Sequence, residues 1–113
     1  MKIFRPDSLL ETLFRKLRFN KVRRHITRDS FVCDIGCGKG QFLEELSPYI
    51  KIGYGLDKKT YKEDKNNLRF LQIQLDDKIS LRDESVDIIT MLAVLEHLDN
   101  LPKILSECFR ILK

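Results

Sequence analysis

The feature that most constrains the fold is the run Phe31-Val32-Cys33-Asp34-Ile35-Gly36-Cys37-Gly38-Lys39-Gly40, a short apolar stretch ending in three alternate glycines. Its first half reads as a buried strand. The following residues, Gln41 to Leu46, set Phe42, Leu43 and Leu46 at helical spacing before Pro48 closes the segment. Strand, glycine turn and helix form a βα unit whose turn allows positive φ and offers bare backbone and unpaired helix N–H groups to a ligand. All five glycines of the chain (Gly36, Gly38, Gly40, Gly53 and Gly55) lie within one stretch of twenty residues. They read as two turns facing one ligand.

The pattern continues beyond this unit. Ile52 to Leu56 is a second strand ending at Asp57, the polar residues 58–67 are a short helix or a loop, and Leu68 to Ile73 is a third strand. After the turn Asp83-Glu84-Ser85, Val86 to Leu92 predicts a fourth strand. Asp99-Asn100 then caps a helix with Pro102 in its first turn and Leu101, Ile104, Leu105, Cys108, Phe109 and Leu112 on its apolar face. Strands alternating with helices predict an α/β fold, a Rossmann-like parallel sheet with helices on both faces. A chain of 113 residues has room for one such core.

Ahead of it lies a segment of different character. Residues 1–28 hold nine Lys/Arg against two acids, whereas residues 29–113 hold twelve against fifteen. The division predicted is a basic amphipathic helical segment at 1–28 and a ligand-binding domain at 29–113. Leu9, Leu10, Leu13, Phe14 and Leu17 form one helical stripe, expected to pack on the main fold, with a membrane-surface helix as the alternative. The basic charge reads as a solvated face or as a patch for an anionic partner. No apolar run is long enough to span a bilayer, and nucleic acid is not an expected partner. Cys33, Cys37 and Cys108 are too few and too isolated for a disulfide framework or a zinc site, so they read as small buried side chains in a reducing cytoplasm, with no metal.

The ligand class follows from spacing and charge. Asp57 stands 21 residues after Gly36, where a carboxylate at the end of the second strand accepts both hydroxyls of a ribose. A dinucleotide fingerprint is G-x-G-x-x-G, but here the spacing is G-x-G-x-G, and Asp34 precedes the first glycine. A carboxylate there repels phosphate and suits an ammonium. S-adenosylmethionine, with an ammonium, a sulfonium and no phosphate, fits better than a nicotinamide dinucleotide, which is kept as an alternative.

Val32 to Gly40 resembles motif I of the class I S-adenosylmethionine-dependent methyltransferases. Gly53-Tyr54-Gly55-Leu56-Asp57, the run Asp83 to Ile89, Leu95-Glu96-His97-Leu98 and Glu107 to Lys113 follow in the family's order over residues 31–113, closest to the broad small-molecule group called type 11. The resemblance implies that Asp34, Gly36, Cys37 and Gly38 floor the methionine end of the cofactor, that Asp57 holds the ribose, and that Gly40 lets helix and strand pack closely. It puts Leu75 at the place of the acid that reaches the adenine amino group, with Asp76, one residue late, as the favoured substitute. Met91, Leu92 and Ala93 would line the methyl-transfer channel with backbone. Glu96 and His97 would stand within reach of a small-molecule acceptor, His97 either as general base or as a structural histidine.

The family's strand order is 3-2-1-4-5-7-6, and the sequence supplies strands 3-2-1-4, stopping before strand 5. The fourth strand, apolar on both faces, would then present an exposed edge through which the chain associates. The alternative to an active methyltransferase is therefore a non-catalytic cofactor-binding fragment or interaction module of the same fold.

Overall fold

In a computed structural model of the chain, residues 6–59, 62–73, 78–91 and 101–113 are described. Helix α1 (Pro6–Arg23) precedes β1 (Phe31–Ile35), α2 (Gln41–Leu46), a short 3-10 turn (Ser47–Tyr49), β2 (Ile52–Asp57), β3 (Leu68–Gln72), β4 (Ile88–Thr90) and α3 (Leu101–Ile111). The four strands form one parallel sheet in the order β3-β2-β1-β4. This is the Rossmann-like arrangement expected, with β1 central.

The register divides the core into two layers. Val32, Leu68, Phe70 and Ile88 point to one face, where Leu43, Leu46 and Ile50 cover them and Phe19 and Val22 of α1 pack at the margin. Cys33, Ile35 and Leu56 point to the other, against Ile104, Cys108 and Ile111 of α3. Alternation along β1 thus sends successive residues to opposite helices, and that is why its burial is continuous from Val32 to Ile35.

Gly53 and Gly55 lie inside β2 and are not a second ligand-facing turn. A Cβ at Gly53 would stand 2.7 Å from Leu68 and 3.2 Å from Leu43, and one at Gly55 2.7 Å from the Phe70 ring and 2.9 Å from Cys37 Sγ. These two glycines let α2 and the glycine turn close onto the sheet.

The fourth strand is shorter than its apolar run. Val86 makes an isolated bridge to Leu112 instead, and Asp87 turns its carboxylate back to accept the Phe31 N–H at 2.7 Å. Asp87 therefore fastens the amino end of β1 rather than serving the ligand end. Between β3 and β4 the chain is held by Arg110, which donates to the carbonyls of Ile79 and Leu81 and pairs with Asp83 and Glu107, while Glu107 accepts the Ile79 N–H. Those carboxylates raise the Arg110 pKa further above its already high value, and Arg110 in turn lowers that of Glu107.

The α1 stripe expected to pack on the main fold is exposed, and the apolar face of α3 is covered only in part, at Ile104 and Cys108. Leu9, Leu10, Leu13, Phe14 and Leu17 are each about half exposed or more, and on α3 Leu105 is 42% and Phe109 80% exposed. On a helix of 3.6 residues per turn the five α1 residues share one side. The opposite side, carrying Thr12, Arg15, Phe19 and Val22, lies toward the fold. Phe19 and Val22, further along than the stripe, provide the apolar anchor that fixes which side faces inward. The predicted cap of α3 at Asp99-Asn100 lies outside the described residues.

Candidate functional site

At the carboxyl ends of β1 and β2 the chain builds a corner of two acids and one glycine turn. Gly36 and Cys37 both donate their N–H groups to Leu56 O, at 2.7 and 3.1 Å, so the turn begins as a continuation of the β1–β2 ladder. Gly38 then takes φ +55, and its N–H donates to Asp57 Oδ2 at 2.8 Å. A Cβ at Gly38 would meet nothing within 4 Å, in contrast to Gly40, where Phe70 stands 2.7 Å away. Gly38 is required by its backbone angle and by an open approach, Gly40 by packing.

Asp57 spans the corner. Its second oxygen accepts the Lys59 N–H at 3.3 Å, so both carboxylate oxygens are oriented by backbone donors. Asp34 is deeper, 6% exposed, with Thr90 of β4 donating a 2.7 Å hydrogen bond to its Oδ1. The register puts that threonine beside it, since Asp34 pairs with Thr90 across β1 and β4. Burial pushes the Asp34 pKa up to about 6, against the lowering effect of Thr90 and of the Arg18 charge. A buried carboxylate held this way gains from a cationic ligand group.

A cleft of about 310 Å³ opens over this corner, lined by Arg15, Arg18, Asp34, Gly36, Cys37, Gly38, Lys39, Gln41 and Phe42. Asp34, Gly36, Cys37 and Gly38, the four residues that the family resemblance put beneath the methionine end of the cofactor, are thus brought together, with Asp57 bonded to the turn from behind. Burial raises the Cys37 thiol to about 12, which leaves it a neutral lining group. Met91 leaves β4 with its side chain against the α3-side core, so only its backbone can serve the cleft. Leu75, Asp76, Glu96 and His97 lie outside the described residues. Arg15 and Arg18 were missed by the sequence reading. The signal was available as two basic residues three apart on the side of α1 opposite the leucines, but only the packed fold shows that this side turns inward.

These groups match the chemistry of S-adenosylmethionine. A carboxylate oriented by two backbone N–H groups suits a ribose diol, an open glycine backbone suits close approach of a thioether chain, and a buried acid suits an ammonium. Among the described residues no group of three or more His, Cys, Asp or Glu is placed to hold a metal ion, and no helix is long and apolar enough to cross a membrane.

Residues 33–113 match the type 11 family described as Methyltransferase domain. The chain belongs to that family. Solved structures agree with the assignment: the YcgJ protein of Bacillus subtilis, 26% identical, superposes over 88% of this chain and 45% of its own with a TM-score of 0.75. A Haloferax volcanii chain from a complex between the Trm112 methyltransferase activator and a protein described as a methyltransferase is 25% identical over 95% of this chain and 51% of its own, at a TM-score of 0.77. An S-adenosylmethionine-dependent methyltransferase of Aquifex aeolicus shares the fold, at 24% identity over 98% of this chain and 69% of its own, with a TM-score of 0.77. No curated protein matches by sequence. This methyltransferase-family chain spans about half the length of the first two of these structures. It corresponds to the amino-terminal, cofactor-side part of the class I fold.

Proposed function

We propose that the chain binds S-adenosylmethionine at the corner of β1 and β2 and serves methyl transfer to a small-molecule acceptor. The observation that carries this reading is the pair of acids at one end of the sheet, Asp57 bonded to the Gly38 N–H and Asp34 buried beside the same turn. In this reading Asp57 receives the ribose hydroxyls, and Asp34 faces the ammonium of the amino-acid tail. Gly36, Cys37 and Gly38 supply backbone beneath it, and Asp76 or Leu75 borders the adenine. When bound, the cofactor supplies an electrophilic methyl group on its sulfonium. The protein's part is to orient the acceptor for in-line approach, with the backbone at Met91 bordering the path. His97 takes the proton from an acceptor hydroxyl or amine, with Glu96 as the second candidate for that role.

Residues 29–113 are then the binding domain, 1–28 a separate basic segment, and the cytoplasm the location. The edge of β4 is where further protein associates. A non-catalytic cofactor-binding module of the same fold is the second reading, separated from the first by whether bound cofactor is turned over. Titration calorimetry with S-adenosylhomocysteine tests the binding step. Saturable binding abolished in Asp57→Ala is expected, and a folded wild-type chain that takes up no ligand overturns the reading. Transfer of label from S-adenosylmethionine to an acceptor pool, lost in His97→Ala, separates the enzyme from the module.

A further inference from the structure

Helix α1 turns its apolar stripe outward, the reverse of an ordinary surface helix. Its inward side is already engaged. Arg15 donates to Gln41 Oε1 at 3.0 Å, and Phe19 and Val22 pack against the layer that includes Leu43 and Leu46. On the other side Leu9, Leu10, Leu13, Phe14 and Leu17 are 50–60% exposed. They form a convex ridge about 12 Å long. Lys21 continues its line four residues after Leu17, Lys16 borders it, and Arg24 and Arg28 follow at the carboxyl end; all four are exposed.

Charge decides what such a ridge can meet. Residues 1–28 carry nine Lys/Arg against two acids, whereas residues 29–113 carry twelve against fifteen. The cations are gathered on the one segment that exposes the leucines. We infer that α1 docks on a bilayer surface bearing anionic phospholipid, with the ridge from Leu9 to Leu17 at the boundary of headgroups and acyl chains and Lys16, Lys21, Arg24 and Arg28 among the headgroups. A bilayer surface offers both layers that this helix matches, a negatively charged rim and an apolar interior about 5–10 Å beneath it. It also receives a convex ridge without a matching groove. A second copy of the chain fits less well, because pairing two α1 helices, in either direction, sets two strongly basic segments against each other. The acidic excess of residues 29–113 is repelled by the same lipid charge, which favours the orientation with α1 toward the bilayer. This docking depends on the orientation and charge of α1 and not on what the cleft binds.

The test is co-sedimentation of the full chain with two kinds of vesicle, phosphatidylcholine alone and phosphatidylcholine with about one-third phosphatidylserine. Wild type is expected to bind the anionic vesicles about tenfold more tightly or better. Leu13→Ser/Leu17→Ser is expected to lose about 30-fold on those vesicles through the apolar contact. Lys21→Gln/Arg24→Gln is expected to lose about tenfold there and to leave binding to the neutral vesicles unchanged. Every substituted side chain is exposed, so thermal melts of both variants are expected to match wild type, and the charge pair decides the matter if the leucine pair does not fold. Equal wild-type binding to the two vesicle types, or none to either, overturns the docking. So does a folded leucine variant that loses less than about threefold, because the ridge is then not in the bilayer. Sedimentation velocity covers the other occupant: a wild-type dimer that Leu13→Ser/Leu17→Ser dissolves, with no uptake by vesicles, assigns the ridge to a second copy and overturns the lipid.

Discussion

The two walls of the cleft are built by opposite means. On one side the β1 turn is fixed by its own sequence: glycines allow the backbone angles, β2 supplies Leu56 O and Asp57 as partners, and the neighbouring strands hold the register. On the other side α1 is placed by two apolar residues near its end, Phe19 and Val22, and by the Arg15–Gln41 hydrogen bond. The first wall is local chemistry and the second is a packing decision. A turn of the first kind tolerates little change, whereas a helix of the second kind has a whole face open to substitution.

The sharpest way to break this contrast is to remove the acid that joins the turn to β2. Asp57→Ala deletes the acceptor of the Gly38 N–H and, in the proposed function, the ribose anchor. Affinity for S-adenosylhomocysteine is expected to fall about 100-fold or more, measured by calorimetry, with a loss of folding stability of about 1 kcal/mol in urea melts. A loss of stability without loss of affinity would show Asp57 to be a brace only.

Next in size is the pair Gly55→Val and Gly38→Ala. Valine at 55 forces branched carbons onto the Phe70 ring and Cys37 Sγ, and about 2–3 kcal/mol of stability is expected to go. Alanine at 38 meets no atom but must hold φ +55, so about 1 kcal/mol is expected instead. Thermal melts of both variants decide whether packing or backbone angle governs each glycine. Equal effects would erase the distinction drawn between the two.

Acidity offers a third measurement, because Asp34 is held neutral more readily than an ordinary aspartate. Its pKa of about 6 in the folded chain stands above the ordinary 3.8. Between those values the native state binds a proton that the unfolded chain has released, so this group's contribution to stability falls as pH rises through the window. Ligand affinity is expected to move the other way. An ammonium needs the ionised acid, so binding of S-adenosylhomocysteine weakens by up to about tenfold per pH unit below 6. Asp34→Asn should flatten both curves, and a wild-type affinity unchanged from pH 7 to pH 5 would remove Asp34 from the ammonium site.

How far the sequence could be read follows the same division. The limits of β1 and α2 were legible because apolar runs, glycines and a helix stop act over a few residues, whereas the strand order and the gathering of Asp34, Gly36, Cys37 and Gly38 were implied by the family resemblance. The length of β4 was not. Val86 and Asp87 have the composition of a strand, yet their partners, Leu112 and the Phe31 N–H, are distant in the chain. Likewise Gly53 and Gly55 look like a ligand turn by composition and are packing glycines by contact. The roles of Arg15 and Arg18 were hidden for a further reason: an amphipathic stripe says which side of a helix is apolar, not which side the fold will use.

That last point yields the smallest expected effect and the most direct check on the second wall. A leucine moved from solvent to a packed interior is worth roughly 1.5–3 kcal/mol, but Leu13 is half exposed and contributes only a part of that. Leu13→Ser is accordingly expected to change stability by no more than about 0.5 kcal/mol. Phe19→Ala, on the inward side of the same helix, removes a ring that packs on the Leu43–Leu46 layer and meets Tyr49 edge-on at 5.9 Å; because the ring is only partly buried, a loss of about 2 kcal/mol is expected. The two costs, measured by urea unfolding, order the sides of the helix. If Leu13→Ser proved the costlier change, the leucine stripe would be the packed side. Arg15 and Arg18 would then face water, and the cleft would lose its second wall.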